Sequence, residues 1–585
     1  MQSVDYTTLV ALCGELQEGW LPARVEQIYQ SDRHTLALSL RTLEKRGWLT
    51  LCWHPQAARL CLADPPPTTP DTFTLSEQLR HQLKGLALVA VLLPTSWERV
   101  VNLQFAPRPG DRPQFHLFGE IMGKYSNLIL TDPQQQIITV AHQVNAQQSR
   151  VRTVQTGQPY LPPPAVLAQA PKLSEPRQSW QERISLIPGE LGPQLLKTYR
   201  GLSPRLVQTL LQGAQLQPQT LTTSLTTADW QNLFQVWQCW LLALEKGHFT
   251  PHWTAEGYSV FSPTPPDPQT LAPNVHSLIN RYYGDRQQQE KFQHLHQQLQ
   301  QKVRSHQDKL QHKNQIFQAR LEEATEADNQ KQRADLLMAH LHLTQPGLSQ
   351  LTLADFATQK PITIHLRPDR TLLQNAQSFY KQHQKLKRVQ DKVVPLLEEL
   401  RDEWNYLQAV AASLNQLEGD CQLEDLEALT EIREELIEQG YLTNPQPRRR
   451  LKPAPIHPCI FLSPSDFEIW IGRNNRQNDY LTFRVAREYD LWFHSQEIPG
   501  SHVLLRLPAG AVAEAADLQS AADLSAYFSQ ARQSEQVPVV YTQPKYVFKP
   551  KGARPGMVVY QKETILWGKP ANLPLYRRKN YSGAG

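Results

Sequence analysis

The spacing of apolar positions changes character along the chain. Val4 to Leu16 carries helical spacing, and short β-rich runs follow at Thr35–Leu40 and Trp48–Trp53. Alternation with a period of two marks a half-buried strand, and a period near 3.6 marks an amphipathic helix. Pro65-Pro66-Pro67-Thr68-Thr69-Pro70 fits neither helix nor central strand, so it is a loop. Phe73, Leu75, Leu79 and Leu83 then line one side of a helix that Gly85 stops. Strands are expected at Arg99–Phe105, Phe115–Ile121 and Ser126–Asp132, the last closed by an Asp-Pro turn.

Gly157–Pro164 opens a linker, and residues 180–246 have helical periodicity. Within them, Gly201-Leu202-Ser203-Pro204-Arg205-Leu206 admits two readings. It resembles half of a helix-hairpin-helix element, whose exposed amides hold a phosphate. It also suits a plain helix start capped by Ser203 with Pro204 in the first turn. The lack of a surrounding basic cluster favours the second.

The centre is polar and glutamine-rich, with Phe292, Leu295, Leu299, Val303, Leu310, Phe317, Leu321 and Ala324 at steps of three, four or seven. So narrow a seam suits a coiled coil. A break at Gln345-Pro346-Gly347 and two β-like pieces (350–353 and 362–366) precede a second seam from Val389 through Trp404 to Leu417. Two such helices joined by a compact tip make an antiparallel hairpin. Residues 286–327 alone would reach roughly 60 Å. Pro395 should kink the returning helix.

Arg448-Arg449-Arg450 with Pro453, Pro455 and Pro458 marks the next boundary. A compact α/β domain is expected beyond it, with strands at 468–472, 490–494, 502–505 and 537–541 and a helix over about 514–531. The organisation read from the chain is therefore 1–178, 179–280, 281–440 and 441–585.

Composition narrows the function classes. A chain of 585 residues exceeds one core. Mean hydropathy is −0.50 and no apolar run approaches membrane-spanning length, which points to a soluble protein. The first residues lack the pattern of a signal peptide, so a cytoplasmic location is expected. Six scattered cysteines form no CxxC pair, which argues against a zinc ribbon or a disulfide framework. Net charge is only +5, yet the stretch from Arg448 onward holds 19 Lys and Arg against 11 Asp and Glu. A basic terminal domain suggests a polyanionic partner.

That domain is dense in side chains suited to RNA. Arg473, Asn474, Asn475, Arg476, Gln477 and Asn478 lie in what reads as a polar loop after a strand. Guanidinium groups there would meet phosphate, and amides would meet base edges or ribose hydroxyls. Trp492 and Phe493 add aromatic faces, although alternation on a strand puts one of them in the core. His494, Ser501 and His502 contribute further polar groups. Lys545, Lys549, Lys551 and Arg554 interleave with Tyr546 and Phe548, the pattern of a stacking, phosphate-tracking surface. His494 and His502 could start a catalytic or metal pair, but no cysteine or acidic group is spaced to complete it.

Several of these stretches together resemble a known family. They are Gly472–Asp479, Asp490–His494, Pro499–Val503 and Lys549–Gly556, with Gly119–Leu130, Ala334–Ala339 and Asn375-Ala376 upstream. The chain is similar over its whole length to the RqcH/NEMF family of NFACT-domain proteins, historically described as fibronectin-binding protein A homologues. The resemblance implies a multidomain α+β fold. Its parts are a glycosylase-like N-terminal lobe with a helix-hairpin-helix-like segment, a long antiparallel coiled coil and a compact C-terminal NFACT-R domain. It implies a cytoplasmic factor of ribosome-associated quality control, a monomer on the ribosome.

The implied partners are the large (50S) subunit, its 23S rRNA, the nascent peptidyl-tRNA and a recruited tRNA, in bacteria tRNA-Ala. The tRNA would support template-free alanine tailing of the stalled chain. Peptide-bond formation would belong to the ribosome, so no catalytic residue, cofactor, metal or membrane is expected. The family's tRNA-recruiting Asp-Arg pair corresponds to Glu98-Arg99. Glycosylases of the related fold use a proline after the initiator Met, where this chain has Gln2. The competing readings are a fibronectin-binding surface adhesin and a nucleic-acid enzyme.

Overall fold

The computed structural model describes residues 1–66, 70–164, 167–343, 347–417, 423–443 and 458–579. The centre of the first proline-rich loop, Gln345-Pro346, Cys421 and the Arg448–Pro455 boundary lie outside the described residues. The chain divides into two compact units, Met1–Gln287 and Gln288–Gly585.

In the first unit, α1 (Tyr6–Trp20) starts at Asp5, whose carboxylate accepts the Thr8 amide at 2.8 Å. A free amide at a helix start needs such an acceptor. The strands are β1 (Ala23–Asp32), β2 (Thr35–Arg41), β3 (Arg46–Cys52), β4 (Arg59–Ala63), β5 (Ala87–Leu92), β6 (Val100–Ala106), β7 (Phe115–Glu120), β8 (Asn127–Thr131) and β9 (Ile137–Val140). They form one antiparallel sheet in the order β4-β3-β2-β1-β5-β6-β7-β8-β9, and α2 (Thr74–Leu83) connects β4 to β5. Leu12, Leu38, Leu103 and Leu117 are buried in its core.

Helices α3 (Arg177–Ser185), α4 (Leu191–Thr198), α5 (Pro204–Gly213) and α6 (Thr227–Lys246) enclose a second core. Trp180, Trp230, Trp237 and Trp240 are buried there, the rings of Trp180 and Trp237 being 5.7 Å apart. The short pair β10 (His252–Thr254) and β11 (Gly257–Ser259) follows. The chain then returns to the first core, where Tyr258, Leu278, Ile279 and Tyr283 are buried.

Helix α7 (Val275–Thr325) begins in the first unit and continues into the second, where α8 (Ala327–Ala339) follows it. A tip of β12 (Gln350–Ala354) and β13 (Pro361–His365) follows, and α9 (Leu372–Gln416) runs back. The pairing is antiparallel, as the sequence seams require. His296 meets the Leu414 carbonyl at 2.9 Å, His383 meets that of Ala327 at 2.9 Å, and Tyr380 bonds Asp335. The α9 helix is continuous through Pro395.

Where a two-helix seam was expected, a third helix joins it. In α10 (Leu423–Glu438), Ala428, Leu429, Ile432 and Leu436 pack with Leu299 and Val303 of α7 and with Leu407 and Val410 of α9. The helix is rich in carboxylates, with Glu427, Glu431, Glu434, Glu435 and Glu438 beside its apolar stripe and Asp425 at the start of that stripe.

The last part of the unit is an antiparallel sheet built from β14 (Cys459–Leu462), β15 (Glu468–Ile471), β16 (Leu491–Ser495), β17 (Val503–Leu505), β18 (Val537–Thr542), β21 (Thr564–Gly568) and β22 (Arg577–Arg578). A separate small hairpin pairs β19 (Val547–Phe548) with β20 (Val559–Tyr560). The polar stretch read as a loop folds instead as α11 (Asn475–Tyr480), because Asn474 caps it by accepting the Gln477 amide at 2.9 Å. Phe493 and Trp492 are both fully buried, in cores on opposite faces of the sheet. Helix α12 (Ala515–Tyr527) contributes Ala521 and Leu524 to the Phe493 side.

Candidate nucleic-acid interface

Glu98 and Arg99 lie in the bend that enters β6. Trp97, just before them, has a left-handed backbone (φ 67°), uncommon for a bulky residue. Its ring is held between Tyr6 (4.9 Å) and Trp240 (5.7 Å). It also presses on Gly201 (φ +80°), where a Cβ would stand 2.6 Å from the indole. The bend therefore packs against the Gly201–Ser203 turn.

That turn is the capped helix start the sequence favoured: the Ser203 hydroxyl accepts the Leu206 amide at 3.0 Å and donates to Asp5 at 2.7 Å. Asp5 thereby ties the starts of α1 and α5 together. Arg99 donates to the Val4 carbonyl at 3.2 Å. Glu98 is buried, and its Oε1 has no hydrogen-bond partner among the described residues. A buried carboxylate oxygen without a donor is costly and marks a place where one would be welcome. Glu98 and Arg99 thus follow directly on the residue whose ring presses on the Gly201–Ser203 turn.

Gln2, at the position a glycosylase would give to proline, is fixed by structural bonds. Its amide donates to the Tyr282 hydroxyl at 2.8 Å, its side chain donates to the Tyr258 carbonyl at 3.0 Å, and its carbonyl accepts from Tyr283 at 2.6 Å.

The C-terminal candidates divide into two groups. Those around α11 turn inward, onto carboxylates of α10. Arg473 pairs with Asp425. Asn474 and Gln477 both donate to Glu431, at 2.6 and 2.8 Å. Asn475 donates to Glu435 at 3.0 Å, and Arg476 pairs with Glu434 at 3.1 Å and Glu438 at 2.6 Å. Glu435 is 1% exposed and also accepts from Tyr406 at 2.8 Å. Burial raises its pKa, against the hydrogen bonds from Asn475 and Tyr406. These side chains hold a helix in the present conformation, rather than facing solvent as a loop would.

Other candidates are also internal. The Asn478 side chain donates weakly to the Gly500 carbonyl at 3.5 Å and accepts the His502 amide at 3.0 Å. Ser501 donates to Gln416 at 3.2 Å. His502 is buried, 2.7 Å from the Thr482 hydroxyl, and its ring lies 5.4 Å from that of His494. Burial holds the His502 pKa well below the ordinary imidazole value and lowers that of His494 to about 4. Both rings are neutral at neutral pH and bring no charge to a phosphate. No cluster of three or more metal-ligating side chains occurs among the described residues. Arg554 lies over the rings of Tyr406 (5.0 Å) and Tyr441 (5.5 Å).

The small hairpin keeps an outward face. Lys545, Lys549, Lys551 and Phe548 are exposed, although Lys549 also pairs with Asp479. Lys562 and Lys545 flank the Tyr546 ring at 4.5 and 5.2 Å. Trp567, on the edge strand β21, is more than half exposed, a candidate absent from the sequence-based set. Its sequence signal is the aromatic near Lys569, and only the sheet order places it on an exposed edge, where it suits base stacking.

The fold and this surface define a multidomain α+β protein with a basic, aromatic-bearing terminal domain of the nucleic-acid-binding class. The model of NFACT N-terminal and middle domains matches residues 5–454, and that of the NFACT protein RNA binding domain matches 458–562. The chain is 28% identical over 585 residues to the Rqc2 homolog RqcH of Bacillus subtilis (strain 168), covering 97% of this chain and 98% of that one. It is 30% identical over 579 residues to the Rqc2 homolog RqcH of Streptococcus pneumoniae serotype 2, strain D39, covering 96% and 97%. Among solved structures, the C-terminal part of the fibronectin/fibrinogen-binding protein from Streptococcus suis matches with 30% identity and a TM-score of 0.37, over 48% of this chain and 95% of that one. The chain belongs to the RqcH/NEMF family of NFACT-domain proteins.

Proposed function

We propose that the chain is a factor of ribosome-associated quality control. It binds large (50S) subunits that still hold peptidyl-tRNA after a stall, contacts 23S rRNA, and recruits tRNA for template-free C-terminal tailing of the nascent chain. The tRNA is tRNA-Ala and the tail is alanine. The protein acts in the cytoplasm and supplies no catalytic residue, because peptide-bond formation belongs to the ribosome. The observation that carries this reading is the near-full-length relationship to RqcH, and the buried Glu98 with an unsatisfied Oε1 beside Arg99 is consistent with it.

The test is to isolate the tagged protein from crosslinked cells and sequence its bound RNA. Large-subunit rRNA with one enriched tRNA, the tRNA lost in Arg99→Ala, is the expected result. Recovery of a surface-bound protein without ribosomal RNA would overturn it in favour of the adhesin reading. Ribosomal RNA without any enriched tRNA would overturn the tailing step.

A further inference from the structure

The cations around α11 are paired internally, so the unneutralised charge of the second unit lies elsewhere. It is concentrated in the middle of the hairpin. Residues 291–320 of α7 and 372–392 of α9 hold eleven Lys and Arg against two carboxylates, Asp308 and Asp391, a balance of +9 in a chain whose total is +5. Lys302, Arg304, Lys309, Lys313 and Arg320 on α7 are exposed, as are Lys381, Lys385, Lys387, Arg388 and Lys392 on α9. Among the described residues, none of these ten forms an ion pair within 4.0 Å.

The array is ordered. Lys381, Lys385, Arg388 and Lys392 recur at steps of four, three and four, which places them on one helix face. They line a trough of about 890 Å³ between the helices, with Arg320 opposite and Glu323 its one carboxylate. A helix face that only needs solvation mixes both signs at these steps, whereas like charges three or four residues apart destabilise it. An uncompensated row of this kind is relieved by a polyanion. The row spans roughly 16 Å, against which a duplex with a phosphate every ~3.4 Å along each strand sets about five phosphates.

We propose that the middle of the hairpin is a second RNA-binding surface, in which Lys381, Lys385, Arg388, Lys392 and Arg320 track the phosphate backbone of a structured RNA. It reads no sequence, because it offers cations without amides placed for base edges. RNA is favoured over an acidic protein because the charge repeats regularly over three helical turns and the same chain carries an RNA-binding domain. The proposal deepens the ribosomal reading and rests on it only for which RNA is bound.

The full-length protein would be titrated with a fluorescent 20-base-pair RNA duplex at several salt concentrations, alongside the triple variant Lys385→Gln, Arg388→Gln and Lys392→Gln. Glutamine keeps helix propensity, and unchanged circular dichroism would show the hairpin intact. Affinity should fall at least tenfold at low salt. The slope of log affinity against log salt should fall by about 2 to 3, close to one per lost phosphate contact.

An unchanged slope and affinity would overturn the proposal. So would duplex binding that is unchanged while binding of polyglutamate is lost, since the partner would then be an acidic protein. The same pair would be tested on purified large subunits. Failure of the unmodified protein to bind them would count against the ribosomal reading alone, whereas equal binding by protein and variant would remove the hairpin from the ribosomal interface.

Discussion

Arg473→Ala separates a side chain that holds the fold from one that meets RNA. Arg473 and Asp425 are paired with only 11% and 9% of their side chains exposed. Removing the guanidinium leaves the Asp425 carboxylate in a site that excludes water, and breaking such a pair costs about 3–5 kcal/mol. Arg476 offers the internal control. It is 27% exposed, and its partners Glu434 and Glu438 are 26% and 67% exposed, so Arg476→Ala should cost at most about 1 kcal/mol.

The assay is amide hydrogen exchange of α10 in both variants, with urea melts followed by far-ultraviolet dichroism. Arg473→Ala should speed exchange in α10 at least a hundredfold, and Arg476→Ala by no more than about fivefold; a factor of ten corresponds to ~1.4 kcal/mol. A double-mutant cycle with Asp425→Ala should recover most of the loss, because the stranded charge is gone. Equal effects of the two variants would refute the reasoning. So would a loss of RNA affinity in Arg473→Ala with exchange in α10 unchanged, since the guanidinium would then face RNA and not α10.

Further outcomes follow from the same geometry. Burial raises the pKa of Glu435, so holding its ionised form works against the fold; Glu435→Gln should gain stability relative to the parent as pH rises through that raised pKa, and the gain should vanish in acid. His494 and His502 have depressed pKa values, so the C-terminal domain should lose stability as pH falls below 6.5 toward about 4, and His502→Gln should flatten that slope in pH-dependent melts. Gly201→Ala forces a Cβ toward the Trp97 ring at a left-handed position; it should cost at least about 1 kcal/mol and weaken tRNA binding while large-subunit binding persists, as filter binding and co-sedimentation would show. Arg152→Ala strands Glu120, which holds Arg152 at 2.6 and 3.0 Å and Tyr160 at 3.0 Å, and should destabilise the first unit by about 3–5 kcal/mol in a urea melt.

How far the chain could be read depends on whether a feature is local. The period of the seams at Phe292–Ala324 and Val389–Leu417 indicates two helices that must find each other, and α7 and α9 do. The Ser203-Pro204 start was legible for the same reason: a cap and its helix lie within three residues. The basic-aromatic run 545–556 likewise becomes a hairpin with an outward basic face.

What the tertiary structure decided is which polar groups spend their bonding capacity inside the protein. Arg473, Asn474, Asn475, Arg476 and Gln477 have the composition of an RNA loop, and nothing within the stretch distinguishes that from an internal contact. Their partners are on α10, about forty residues earlier, and only the packing of α10 beside α7 and α9 brings its carboxylates within reach. The charge of the hairpin shows the converse. Its lysines lie in a polar, glutamine-rich stretch whose sequence shows only the apolar seam, and the fold leaves them unpaired and aligned along one trough. Periodicity fixes which side of an element is apolar, whereas the pairing of a charge depends on what the rest of the chain places opposite it.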